Sequence, residues 1–267
     1  MSFNQLYHDK IESGPMNKIK LYSYATSPYA QKVSCYLKYK QLDFEHVPVN
    51  PMTNAEIEFT EQRQVPVLEI DGQWRKNTSD LGLWLDQVFP QRPLLPHDDI
   101  QSKEILTIDK WVSDELIASV FRYAVEWQNP WYSISNGWRL SNVVSQATPL
   151  PLYARILWPF AVKRAKFIVE MVQKMDLTES LPEMNTRLQN EFVTHLAGGP
   201  FLASHKNVSL ADLSAFPAVM NSYFMGMKTK QSLRDHPEIL TWAKRVYAQL
   251  PVNPFLVPDR LLVRRNL

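Results

Sequence analysis

Apolar and polar residues alternate over residues 18–24, with Ile19 and Leu21 on one side and Lys20, Tyr22 and Tyr24 on the other. That is the period of a half-buried strand. Thr26-Ser27-Pro28 ends it, and serine followed by proline marks a helix start: the hydroxyl accepts an orphan N–H and proline suits the first helical position. The helix is expected to reach about Lys40, with Ala30, Val33 and Leu37 facing inward. Residues 43–49 predict a second strand, parallel to the first in a βαβ unit. A short helical stretch over residues 53–61 carries Ile57 and Phe59. Then comes Val65-Pro66-Val67-Leu68-Glu69-Ile70-Asp71-Gly72, a β-branched run led by proline and closed by Asp-Gly, which predicts a strand turning through a hairpin into Gln73-Trp74-Arg75. Asn77-Thr78-Ser79 caps the next helix, which carries Leu81, Leu83, Trp84, Leu85 and Val88.

Pro66 is the odd residue of this series. Proline has no N–H and is confined to a strand's first residue or to an edge. A cis Val65–Pro66 bond would turn the N–H and C=O of Val65 outward, a free β-edge on which an extended peptide can dock. Taken by itself, Pro66 reads first as a strand-start proline with no ligand.

The order β-α-β-α-β-β-α over residues 18–90 predicts helices packed on both faces of a small mixed sheet. Residues 91–98, with Pro93 and Pro96, form a linker. Beyond it the period turns helical throughout residues 99–267. Residues 99–127 carry Ile105, Ile108, Val112, Leu116, Val120 and Tyr123 near 3.6-residue spacing and predict one long amphipathic helix. Residues 128–151 are expected to be irregular, and residues 160–175 to be helical again. Ser180-Leu181-Pro182-Glu183 and Ser209-Leu210-Ala211-Asp212 are capping boxes that open two more helices. A last helix begins near Pro237. Residues 1–17 are polar and are expected to be a loose extension. The resulting fold class is α+β: a mixed four-stranded sheet domain, then an all-α domain.

Composition narrows the function. With 29 basic and 27 acidic residues among 267 the formal charge is only +2, too little field to hold nucleic acid as a main partner. Cys35 is the only cysteine, which removes disulfides, a Cys-x-x-Cys redox pair and cysteine-based zinc sites, and fits a reducing, cytoplasmic setting. Within the first helix it is expected to be inert. The histidines show no metal-ligand spacing, so no metal is expected. No apolar run is long enough to span a membrane; the nearest, residues 147–162, is broken by three prolines and Arg155. Aromatic residues are abundant, with 8 Trp, 11 Tyr and 12 Phe, and can line an apolar cavity as well as a core.

Ser27-Pro28-Tyr29-Ala30 at a strand end, the Val65-Pro66-Val67-Leu68 strand, Asn77-Thr78 at a helix start and the Ser209 to Asp212 cap together resemble the glutathione transferase superfamily over residues 18–250. The first segment resembles the Cys-Pro-Phe-Ala form of the omega class, with Ser27 where that class has cysteine, and residues 50–66 resemble type-2 prostaglandin E synthases, whose Cys-Pro-x-Cys pair is replaced here by Ser27 and Ala30. The resemblance implies a thioredoxin-like domain that binds glutathione as cosubstrate, with an apolar small molecule as second substrate, and a homodimer. Val65 would pair with the cysteinyl unit beside Pro66. Thr78 and Asn77 would hold the γ-glutamyl end, at a helix start that favours anions. Tyr29 would flank the tripeptide. Ser27 would donate to the thiolate and lower its pKa, with Tyr24 as rival donor. On residue type alone Ser27 is a helix cap; the surrounding motif favours the catalytic role. Asn77 replaces the usual acidic residue of the superfamily, a departure that favours a binding or regulatory protein of the same fold, and a prostaglandin-type isomerase is a further alternative. For the apolar substrate, Trp111, Tyr123 and Trp127 are the candidate wall.

Overall fold

The computed structural model describes residues 17–51, 53–61, 63–127, 129–146 and 149–267. Apart from Asn17, the extension expected over residues 1–17 lies outside them. Strand β1 (Ile19–Ser23) leads through helix α1 (Pro28–Tyr39) to β2 (Glu45–Pro48), and a 3₁₀ turn (Ala55–Thr60) precedes β3 (Val67–Ile70), β4 (Gln73–Arg75) and α2 (Thr78–Val88). The sheet order is β2-β1-β3-β4. Leu21 lies opposite His46 across the parallel β1–β2 pair and opposite Leu68 across the antiparallel β1–β3 pair. Strand alternation then sorts the side chains. Ile19, Leu21, Leu68 and Ile70 join the main core with Val33, Leu37, Leu81 and Leu85, while Tyr22, Val49 and Val67 pack with Ile57 of the 3₁₀ turn on the opposite face.

Helix α1 is not the one-faced helix its apolar spacing predicts: Gln31, Lys32 and Ser34 are buried along with Ala30, Val33 and Leu37. The reason is that two further layers cover it. Helix α9 (Leu210–Phe224) packs along it. Residues 253–256 strap its other side: Ser34 Oγ donates to the Pro254 carbonyl (3.0 Å), Lys38 Nζ to those of Asn253 and Phe255 (2.8 and 2.7 Å), and Leu256 N–H to Gln31 Oε1 (2.9 Å).

The remainder is helical. Helix α3 (Asp99–Trp111) runs through a π-helical turn (Val112–Leu116) into α4 (Ile117–Val125), so the long predicted helix exists but with a register change inside it. Within the stretch expected to be irregular, residues 130–145 form a helix, α5 (Pro130–Ser145). Its start is well made, because the Asn129 side chain accepts from the N–H groups of Trp131 and Tyr132 and Pro130 takes the first position. An aromatic, β-branched composition of low helix propensity hid this cap. The single helix expected over residues 160–175 is instead α6 (Leu152–Arg164) and α7 (Lys166–Gln173), parted at the extended residue Ala165. Pro159 inside α6 packs on Gly137, where an added Cβ would lie 2.3 Å from the proline ring.

Helix α8 (Leu181–Leu196) opens on the Ser180–Glu183 capping box, α9 on that of Ser209 and Asp212, and α10 is Pro237–Tyr247. Asp212 is fully buried and saturated with donors: Ser209 N–H and Oγ (2.9 and 2.8 Å), Leu202 N–H (2.9 Å) and Trp242 Nε1 (2.7 Å).

Two charged contacts join the sheet domain to the linker and the helical domain. Lys40 Nζ meets Asp86 (2.7 Å) and the carbonyls of Phe89, Gln91 and Arg92, and Asp86 accepts from the N–H groups of Leu94 and Leu95. The chain between the two parts is thereby clamped. Deeper, Lys32 of α1 pairs with Asp109 of α3 at 2.8 Å, both side chains 0% exposed. Asp109 also accepts from Ser79 of α2 and Ser214 of α9, and Lys32 donates to Ser113 Oγ (2.9 Å). Among the described residues no helix is long and apolar enough to cross a membrane.

Candidate active site

A cleft of about 1400 Å³ opens where the ends of β1 and β3 and the starts of α1 and α2 face the helical domain. Its walls on the sheet side are the segments singled out by sequence: Tyr24, Ser27, Tyr29, Val65, Pro66, Asn77 and Thr78 all line it. On the helical side it is walled by α4, α5, α6, α7, α8, α9 and residues 227–233. Ligand sites of ~300–1000 Å³ hold drug-sized molecules, so this volume accommodates a tripeptide and a second molecule together.

Ser27 is the N-cap of α1, and its Oγ accepts from the Ala30 N–H at 3.4 Å. A capping hydroxyl accepts through its oxygen and keeps its own hydrogen to donate. That hydrogen, at a helix start with positive partial charge, suits an anion in the cleft. Tyr24 is differently placed. Its hydroxyl donates to Asn54 Oδ1 at 2.6 Å, and burial, with Glu56 adding to it, raises its pKa above the usual phenol value. Its one proton is committed away from a thiol. Tyr29 donates to the Ser113 carbonyl (3.2 Å), burial pushes its pKa up to about 12, and its ring lies near Phe121, so it walls the cleft with carbon rather than with its hydroxyl.

The Val65–Pro66 peptide is cis, and β3 begins at the next residue, Val67, which pairs with β1 opposite Tyr22. Among the described residues nothing hydrogen-bonds the backbone N–H or C=O of Val65. Thr78 is the first residue of α2 and is buried; Asn77 before it holds φ 72° with no capping hydrogen bond from its side chain, which leaves the carboxamide available. Arg63 and Lys76 also line this part. Sequence reading assigned neither to the site, although Arg63 lies two residues before Val65 and Lys76 next to Asn77.

The aromatic candidates part company. Tyr123 lines the cleft, with a pKa pushed by burial to about 12 and its hydroxyl donating to Asn185 Oδ1 at 3.4 Å. Trp111 does not: its Nε1 donates to Glu191 (2.8 Å) and its ring meets Phe192 and His195. Trp127 packs instead on Phe160 under Lys163. Phe121 and Phe167, in T-shaped contact, line the cleft and were not singled out by sequence. Among the described residues no cluster of three or more His, Cys, Asp or Glu suited to a metal ion occurs.

Cys35 is fully buried, and burial pushes its pKa up to about 12. The thiolate is the reactive form. Native protein at pH 8 is therefore expected to leave an aromatic disulfide reagent untouched over an hour, and to release one equivalent of thiolate once unfolded in guanidinium. Rapid labelling of the folded chain would contradict that burial.

Residues 21–93 match the family model for the glutathione S-transferase N-terminal domain. Among curated proteins, the chain is 22% identical over 271 residues to prostaglandin E synthase 2 of Mus musculus, covering 86% of this chain and 69% of that one. It is 37% identical over 87 residues to glutathione S-transferase Z1 of Arabidopsis thaliana, 30% of this chain and 39% of that one. A 39% identical match to prostaglandin E synthase 2 of Danio rerio spans 64 residues, only 17% of that protein's length. Human glutathione transferase theta-2, solved with glutathione, superposes with a TM-score of 0.60 at 18% identity, over 88% of this chain and 84% of that one. The β-etherase LigF from Sphingobium sp. gives 0.57 at 20% identity, over 86% and 95%. Residues 21–93 thus match the glutathione S-transferase N-terminal domain in sequence, and along most of its length the chain shares the two-part fold of these solved structures.

Proposed function

We propose that the chain is a glutathione transferase that activates the thiol of glutathione at Ser27 for attack on an apolar electrophile. The observation that carries this reading is the unpaired backbone of Val65 in the same cleft as the Ser27 hydroxyl and the start of α2. An extended tripeptide pairs its cysteinyl unit with Val65, places its γ-glutamyl carboxylate at Thr78, and sets its sulfur toward Ser27. Asn77 hydrogen-bonds the γ-glutamyl end, and Arg63 and Lys76 supply positive charge for carboxylates. The walls contributed by Tyr123, Phe121 and Phe167 take the second substrate. A cytoplasmic homodimer, paired through the first domain of one copy and the helices of the other, completes the proposal.

A second reading, a binding or regulatory protein of the same fold, is favoured by Asn77, since a neutral hydrogen bond contributes ~0.5–1.5 kcal/mol where one to a charged group contributes ~1.5–3. The test is calorimetry with glutathione up to millimolar concentration, on the parent and on Val65→Pro, which has no N–H to offer. Saturable heat in the parent and a loss of about tenfold or more in affinity in the variant are expected. No heat in the parent, or binding without turnover of 1-chloro-2,4-dinitrobenzene, removes the first reading and leaves the second.

A further inference from the structure

Where α8, α9 and residues 227–233 wall the cleft, the lining is apolar through Leu188, Val219, Met227 and Leu233, and into it are set three carboxamides, Asn185, Asn221 and Gln231. None of the described residues lining this part carries a charge, whereas Arg63 and Lys76 stand in the sheet-side part and Lys166 and Glu170 on α7. Two of the carboxamide oxygens, Asn221 Oδ1 and Gln231 Oε1, are shielded from solvent and have no hydrogen-bond partner among the described residues. Asn185 Oδ1, by contrast, is occupied by Tyr123. Both residues line the same cleft, and their chain neighbours are tied together. Arg234 Nη1 donates to Ser222 Oγ (3.4 Å) and Ser232 Oγ (3.1 Å), which draws the residue after Asn221 and the residue after Gln231 onto a single guanidinium nitrogen. Both hydroxyls accept from that cation and keep their own hydrogens.

Buried acceptors without donors are uncommon, because each loses its bond to water on folding. A pair of them, flanking an apolar cavity, marks where a donor belongs. We propose that this part of the cleft binds the neutral, hydrogen-bond-donating end, a hydroxyl or primary amide, of an elongated apolar second substrate. The proposal rests on the transferase reading of the same cleft for the word substrate, but not for the binding. A carboxylate has no hydrogen to give a carbonyl oxygen and sets its full negative charge against the partial negative charge there. An ether or alkyl end leaves them as they are.

The test is direct calorimetric binding of three probes of matched length, 1-decanol, 1-methoxynonane and decanoate, to the full chain at pH 7.5 without glutathione. Decanol is expected to bind about tenfold more tightly than either other probe, the worth of about one net hydrogen bond from its single hydroxyl hydrogen. In Asn221→Leu/Gln231→Leu that preference is expected to fall below about twofold, with Gln231→Met alone giving an intermediate value should the double variant melt early. Decanoate or the ether matching decanol, or none of the three binding, overturns the proposal. Glutathione calorimetry on the same protein keeps the two ideas apart: decanol preference without glutathione binding sinks the transferase reading and leaves this one, and the converse result does the opposite.

Discussion

Asp109→Ala is expected to lower the stability of the chain by about 3–5 kcal/mol, the cost of leaving a buried charge without its partner. Lys32 is fully enclosed, and with Asp109 gone only Ser113 Oγ remains to it among its polar contacts. Desolvating an ammonium is expensive, and in the parent the carboxylate at 2.8 Å offsets that expense. The same carboxylate is the common acceptor of Ser79 and Ser214, so its loss also strips two hydroxyls of a partner. Lys32→Met/Asp109→Leu is expected to recover most of the deficit, since an apolar pair of similar volume avoids the desolvation altogether. Urea denaturation of the three proteins decides it. A single variant within about 1 kcal/mol of the parent, or a double variant no better than the single one, would show that the pair does not carry this energy. A functional effect is expected alongside: Lys32 lies one turn past the start of α1 and Ser79 beside Thr78 at the start of α2, so the variant should weaken glutathione binding as well.

Ser27→Ala is expected to cut glutathione conjugation by about 10²-fold at neutral pH, in line with the ~10²–10³ lost when one donor to a developing anion is removed. The pH dependence gives the sign. A donor that favours the thiolate depresses the thiol pKa, so in the parent the rate rises with pH and levels off early. Without the hydroxyl the same rise moves to higher pH, by roughly 1–2 pH units, each of them worth about tenfold in thiolate at low pH. The deficit should therefore shrink as pH increases. Tyr24→Phe is the control, expected to stay within about threefold because that hydroxyl already donates to Asn54. If Tyr24→Phe collapses the rate and Ser27→Ala does not, the thiolate donor is the tyrosine.

Much of the sheet domain could be read from the chain because each of its signals is local: period-two alternation around Leu21, a serine-proline start at Ser27, an Asp-Gly turn at Gly72. The residues that meet in the sheet-side cleft sit at the ends of those same elements, so placing the elements placed Ser27, Val65 and Thr78. The helical wall had no such advantage. Asn185, Asn221 and Gln231 come from separate segments, and a polar residue on an apolar helix face gives no sign of its neighbours. Trp111 and Trp127 fall in what reads as one long helix, but the π turn over Val112–Leu116 lies between them. One inserted residue turns everything after it by about 100°, so spacing across it does not define one face. Lys32 was invisible for another reason: a lysine reads as solvent-facing until a second domain closes over it.

The strap over α1 has a consequence for synthesis. Ser34 finds its acceptor at Pro254, a separation of 220 residues. At ~5–20 residues per second on the ribosome, the amino-terminal helix waits roughly ten to forty seconds before the segment that seals it exists. Until then Gln31 Oε1, Ser34 Oγ and Lys38 Nζ lack the partners that the strap supplies, and a thioredoxin-like half that looks autonomous on paper emerges into the cell unfinished.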